Sequence, residues 1–244
     1  MHYPTIDFLK GVGILLVLLV HTGTPVFLDL AVPILVFCMG MTGWLTYQHR
    51  TSILNYLDRK ARRYLPAWSI MFLVSNIQNG GAGYGVWYYV FLFMLPSSGP
   101  GNYFLAVILQ AVFVIPVLCY CYSRNPQITI FTSVCIQMVC WYTFPIFINI
   151  EPVITEVPIT LYLFTLSAGI AVMDAVVTGV IPTINIFVFP VNQAGISSYH
   201  IFLIQIVYFC LPIDNVPVIL SILFCIAAGY LFWQLDTVFQ RNFM

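Results

Sequence analysis

The apolar stretch IDFLKGVGILLVLLVH, residues 6–21, carries three ionisable side chains inside a run that otherwise suits a membrane. Each residue of a helix turns about 100° and rises about 1.5 Å. Lys10 and His21 are eleven positions apart, so they share one helix face, with His21 roughly 16 Å farther along the axis. Asp7 precedes Lys10 by three positions and is expected to pair with it. The stretch predicts a membrane helix with a polar path along one side.

The composition of the whole chain fits the same class. Of 244 residues, 61% are hydrophobic and 7% are charged, and the mean hydropathy is +0.97. Soluble domains carry about 25% charged residues. We therefore expect an all-α polytopic membrane protein with one transmembrane domain over residues 1–244, in contact with membrane lipid. The few basic residues argue against a nucleic-acid partner.

Apolar runs of about 20 residues predict membrane-spanning helices. About eight are expected (eight to ten), and two shorter runs, 84–95 and 181–190, are expected to be interfacial or re-entrant pieces. Because basic residues favour the cytoplasmic side, eight crossings fit better than ten, with both termini cytoplasmic in a plasma (inner) membrane. The predicted spans are 8–24, 29–47, 64–79, 102–122, 127–148, 158–177, 194–212 and 216–236.

A cluster of basic residues precedes the third predicted span: Arg59, Lys60, Arg62 and Arg63. One interpretation is a topology anchor that is attracted to anionic lipid. The other is a cytoplasmic site for an anion, because guanidinium groups form paired hydrogen bonds with phosphates. The residues alone leave both interpretations open.

Four stretches together resemble the acyltransferase-3 family of integral-membrane O-acyltransferases. In chain order they are Lys10 followed after ten residues by His21, RKARRYLP at 59–66, NYFLAVILQAVFVIP at 102–116 and GISSYHIFLIQ at 195–205. The chain differs from the family pattern in having Tyr103 where Trp is common and Gln205 where His is common.

The resemblance implies transfer of an acyl group, most often acetyl from cytoplasmic acetyl-CoA, to a hydroxyl of an extracytoplasmic carbohydrate, either a cell-surface glycan or a lipid-linked sugar. It implies that His21 acts as general base or transient acyl carrier. Lys10 would guide the CoA phosphates or stabilise charge at the inner end, with Asp7 as its partner. The basic cluster would bind the CoA phosphates, and no metal is expected. The expected acceptor-pocket residues are Tyr103, Gln110, Tyr199 and His200.

Two other functions remain open from the sequence. One is a non-catalytic relative that exports a polysaccharide or lipid-linked sugar along the same polar path. The other is a small structural subunit of a glycan-assembly complex. The lone His21 at membrane depth favours the enzyme, because ionisable residues there are costly and are usually functional.

Overall fold

The computed structural model describes residues 3–22, 28–49, 52–78, 90, 95, 103–147, 159–211 and 216–243. These residues form helices, and no strand occurs among them. The helices are α1 (Pro4–His21), α2 (Leu28–Gln48), α3 (Ile53–Gln78), α4 (Tyr103–Arg124), α5 (Pro126–Phe147), a 3-10 turn (Ile159–Tyr162), α6 (Leu163–Val177), α7 (Phe189–Ile196), α8 (Ser198–Tyr208) and α9 (Val218–Phe243). The expected piece at 84–95 lies outside the described residues except for Val90 and Leu95.

Five of the described segments are long and apolar enough to cross a membrane. They are Pro4–His21, Leu30–Gln48, Phe104–Arg124, Ile159–Val177 and Val218–Arg241. The helical membrane class is therefore confirmed. The predicted number of about eight spans is not met by the described residues.

The three other predicted spans fall short for different reasons. Helix α3 has 26 residues, but Asp58 and the basic cluster occupy its first half. Helix α5 has 22 residues and no charged side chain, and its described part is not among the candidate spans. The predicted span 194–212 is divided at Ser197 into α7 and the 11-residue α8. The Ser197 hydroxyl donates to the carbonyl of Gln193 at 2.8 Å, a side-chain bond that often bends helices.

The residues divide into two compact units, and the division falls within α2 and α3. The first unit contains residues 1–32, 58–102 and 185–244, and the second contains residues 33–57 and 103–184. Both units are assembled from separated parts of the chain. The expectation of a single domain stays a prediction.

In the first unit, α1 and α7 approach through two glycines. A Cβ on Gly11 would collide with the carbonyl group of Val191, and a Cβ on Gly195 would collide with the carbonyl oxygen of Asp7. Small residues let helix backbones come close in this way. The Asn192 side chain also donates to the carbonyl of Pro4 at 2.7 Å. These contacts fix the N-terminal end of α1, where Asp7 and Lys10 lie.

The second unit uses the same device between α2 and α6. A Cβ on Gly40 would collide with the carbonyl oxygen of Leu166, and one on Gly169 would collide with that of Phe37. Ser133 and Ser167 form a buried hydrogen bond of 2.7 Å between α5 and α6. Since unpaired polar groups are costly in an apolar interior, this pair fixes the register of the two helices.

Candidate functional site

A cavity of about 620 Å³ lies within the first unit, and the basic cluster of the sequence lines it. It is formed by the N-terminal ends of α1 and α8, the first half of α3 and the C-terminal end of α9. Its charged or titratable lining residues are Asp7, Lys10, Arg59, Arg62, Arg63, Tyr199, His200 and Asp236. Four cationic side chains thus face the cavity together with two carboxyl groups, which makes it attractive to anions.

Asp7 and Lys10 form the pair that the sequence predicts. Lys10 Nζ lies 3.7 Å from Asp7 Oδ1, and the two side chains are only 16% and 11% exposed. The pair is well shielded from solvent, so salt screens it less than a surface pair. One cation and one carboxylate of the cavity are thereby held on one face of α1.

Three members of the basic cluster line the cavity, and the fourth, Lys60, lies against an aromatic ring. Arg59, Arg62 and Arg63 line the cavity, and Arg62 Nε donates to both carboxylate oxygens of Asp58 at 3.1 and 2.9 Å. Lys60 is not a lining residue, and its Nζ lies 6.0 Å from the centre of the Tyr64 ring.

The environment of Lys60 also reduces its positive charge. Burial lowers the pKa of Lys60; Tyr64 opposes this shift, while Arg63 and Arg59 add to it. A smaller fraction of Lys60 is therefore charged at a given pH than of an exposed lysine.

His200 and Asp236 form a buried pair at the cavity wall. The distance from His200 Nε2 to Asp236 Oδ2 is 2.9 Å, and their side chains are 7% and 3% exposed. An ionised carboxylate only accepts hydrogen bonds, so Nε2 carries the proton and donates it. His200 Nδ1 has no hydrogen-bond partner among the described residues. The pair therefore holds the imidazole in one orientation with Nδ1 as an acceptor, the arrangement that general bases use.

Asp236 is the functional candidate that sequence reasoning missed. Its side chain is buried and also accepts from Gln240 Nε2 at 2.9 Å. The signal in the sequence was a carboxylate inside an apolar run. Its partner lies 36 positions away, and nothing in the local pattern relates the two.

His21 lies apart from this cavity. It is the last residue of α1, and its ring centre is 6.2 Å from that of Phe209. It is half-buried and is not among the lining residues. The predicted polar path therefore has Lys10 in the cavity and His21 at the other end of the same helix.

Of the expected acceptor residues, some line this cavity and one belongs to the second unit. Tyr199 and His200 line the cavity, and the Tyr199 hydroxyl donates to the carbonyl of Tyr64 at 3.1 Å. Gln110 belongs to the second unit, where its Oε1 accepts from the amide of Ile159 at 2.7 Å. The side chain of Tyr103 is outside the described part of the chain.

Within the described residues, no group of three or more His, Cys, Asp or Glu side chains is placed to hold a metal ion. No family model, curated protein or solved structure matches the chain. The functional argument therefore depends on the cavity and its residues.

Proposed function

We propose that the chain is a membrane O-acyltransferase that moves an acyl group, most often acetyl, from cytoplasmic acyl-CoA to a hydroxyl of an extracytoplasmic carbohydrate. The observation that carries the proposal is the convergence of Lys10, Arg59, Arg62 and Arg63 on one cavity. Coenzyme A bears a diphosphate and a separate phosphate, and arginine is the side chain best shaped to bind such groups. Lys10 of the first motif and the three arginines of the second thus line one cavity, which supports a site for an anion.

The reaction needs a base for the acceptor. The hydroxyl oxygen attacks the thioester carbonyl, a carbon–oxygen bond forms, the carbon–sulfur bond breaks, and the CoA sulfur leaves. The hydroxyl proton passes to an imidazole and from there to the sulfur, a role suited to an imidazole near neutral pH. We assign it to His21, which acts either as this base or as an acyl carrier. The pair of His200 and Asp236 lies at the donor cavity, where we expect it to position the donor.

The test is acyl transfer in membranes supplied with radiolabelled acetyl-CoA. We expect wild-type membranes to label a glycan fraction and His21→Ala membranes at matched expression to leave it unlabelled. Arg63→Gln should raise the KM for acetyl-CoA by about tenfold, because a hydrogen bond between charged groups contributes about 1.5 kcal/mol or more. Arg241→Gln is the matched control, since Arg241 is exposed at the end of α9 and outside the cavity; its KM should equal that of wild type.

Each possible outcome tests a different part of the proposal. Equal labelling by wild type and His21→Ala would retain the enzyme and remove His21 from its centre. An unchanged KM in Arg63→Gln would remove the phosphate site from this cavity. Absence of labelling, together with absence of acetyl-CoA binding by the purified protein, would overturn the acyltransferase.

The export function is the second candidate, and the separation of His21 from the cavity favours it. A cationic cavity also suits an anionic sugar carrier. If deletion of the protein keeps a glycan from the surface while no acetyl label reaches any glycan, export is the function. Acetyl-CoA binding to the purified protein is not expected in that case.

A further inference from the structure

A second cavity, of about 360 Å³, lies within the second unit and is unrelated to the acyl-donor cavity. This volume is within the range of roughly 300–1,000 Å³ that is typical of ligand pockets. The cavity is formed by the C-terminal half of α2, the first turn of α3 and the C-terminal half of α4. Its described lining contains no charged side chain and is dominated by apolar groups such as Ile115, Pro116 and Val117.

The mouth of this cavity lies on an apolar surface. Three of its lining residues, Ile53, Val117 and Tyr120, are more than half exposed, at 57%, 59% and 54%. Helix α4 is among the helices that are long and apolar enough to span a membrane. Exposed apolar side chains on such a helix face lipid hydrocarbon. An occupant that enters from this surface is therefore a hydrocarbon chain.

Polar groups gather beyond one end of the cavity, at the end of α4. The Tyr47 hydroxyl and the Ser123 hydroxyl are 3.3 Å apart, and the Arg124 guanidinium carbon lies 5.5 Å from the ring centre of Tyr120. Tyr47 and Tyr120 both line the cavity. Arg124 forms no ion pair with a described residue. The Ser123 hydroxyl donates to the carbonyl of Tyr120 at 2.8 Å and therefore accepts from the Tyr47 hydroxyl, because each hydroxyl has a single proton. The Arg124 guanidinium is the donor that suits a phosphate.

We propose that this cavity binds one acyl chain of an anionic glycerophospholipid, with the lipid phosphate held by Arg124. The apolar walls accept the chain, and the charge at the end of α4 selects the headgroup. No carboxylate lines the described cavity to receive the ammonium of a zwitterionic headgroup. The lipid site is independent of acyl transfer and stands whether or not the proposed enzyme activity does.

The test measures lipid retention by the full chain, purified in a non-ionic detergent. Dioleoyl phosphatidylglycerol and dioleoyl phosphatidylcholine are the two probes, and native mass spectrometry counts the lipid that stays bound. We expect phosphatidylglycerol to be retained about fivefold more than phosphatidylcholine, the preference that one interfacial arginine contributes. Arg124→Gln should remove this preference. Arg241→Gln, which changes an exposed arginine in the last turn of another long helix, should keep it.

A second pair of variants tests the cavity itself. Val117→Trp and Ile53→Trp add bulk at the mouth, where both side chains are exposed and the fold tolerates the change. Each should lower the retention of both lipids by about fivefold or more, the loss expected when an acyl chain is displaced. Equal retention of the two lipids by wild type, or an unchanged preference in Arg124→Gln, would overturn the headgroup assignment. Full retention in both tryptophan variants would overturn the cavity as the site.

Discussion

Two carboxylates of the first unit pair with basic side chains in opposite surroundings. Asp236 accepts from His200 where both side chains are almost fully buried. Asp58 accepts from Arg62, with the side chains 51% and 56% exposed. An exposed ion pair contributes little, because solvent competes for both partners. A buried partner left without its bond keeps its full desolvation cost.

Removal of these two carboxylates should therefore have unequal effects. We expect Asp236→Ala to lower the free energy of unfolding by about 1–3 kcal/mol, since it leaves the His200 Nε2–H unpaired in a buried place. Asp58→Ala should lower it by no more than about 0.5 kcal/mol. Thermal unfolding in one detergent at one pH compares the two variants. Equal losses of unfolding free energy would show that the difference in burial does not determine what each pair contributes.

Gln110 gives a second test at this scale, because two roles for it predict different measurements. Its side-chain oxygen accepts from the amide of Ile159 at the start of the 3-10 turn. Gln110→Leu should destabilise the protein by about 1–3 kcal/mol, since a backbone amide loses its partner. Transfer per folded molecule should stay at the wild-type rate. A variant of wild-type stability with impaired transfer would instead place Gln110 in the acceptor pocket.

At the scale of elements, the contact of α1 with α7 determines whether Asp7 and Lys10 reach the cavity. We expect Gly195→Ala to separate the two helices, because the added methyl group would collide with the Asp7 carbonyl group and with the backbone of α1 at Gly11. Overpacking of this kind costs about 1–3 kcal/mol. The affinity for acetyl-CoA should fall as well, because Lys10 moves with α1.

The control for this variant is Gly179→Ala. Gly179 has a φ of 78° and no neighbour within 4 Å of an added Cβ. Its substitution costs about 1–2 kcal/mol through the left-handed backbone alone, and the affinity for acetyl-CoA should not change. Both variants are compared by thermal unfolding and by equilibrium binding. Equal affinities in the two would show that the α1–α7 contact does not position the cavity.

The sequence predicts the helices of this chain well, because apolar runs and their interruptions are local properties. Observed bounds such as 103–124 and 126–147 lie within a few residues of the predicted 102–122 and 127–148. The pair of Asp7 and Lys10 was predictable for the same reason. The break at Ser197 was missed, since an apolar run on both sides concealed it.

The parts of the site that were not predictable depend on contacts between distant segments. The cavity is formed by α1, α3, α8 and α9 together. The sequence pattern within one helix does not show which other helix each of its faces packs against. The bond of Asp236 to His200 is of this kind. The sequence pointed to His21 because its spacing from Lys10 was visible, whereas the titratable pair at the cavity wall becomes visible only in three dimensions.

At the scale of the molecule, the first cavity constrains the path of the chain through the membrane. Lys10 lies near the beginning of α1, and Gln240 lies near the end of α9; both line the same cavity. Both helices belong to the candidate spans. If each helix crosses the membrane, the beginning of α1 and the end of α9 lie on one side. The number of crossings from α1 to α9 is then even, so the five candidate spans are not the full set of crossings.

This constraint predicts the orientation of the two helix ends. Lys10, Arg59, Arg62 and Arg63 gather at the cavity, and basic residues favour the cytoplasmic side. We therefore expect both ends to be cytoplasmic. Epitope tags placed before Pro4 and after Phe243 should both resist added protease in sealed right-side-out vesicles, and both should be cleaved in inverted vesicles. A tag on a protein of known outward-facing terminus controls for vesicle integrity. If one tag is cleaved and the other is protected in the same vesicles, the crossing number is odd, and α1 and α9 do not both cross with their cavity ends on one side.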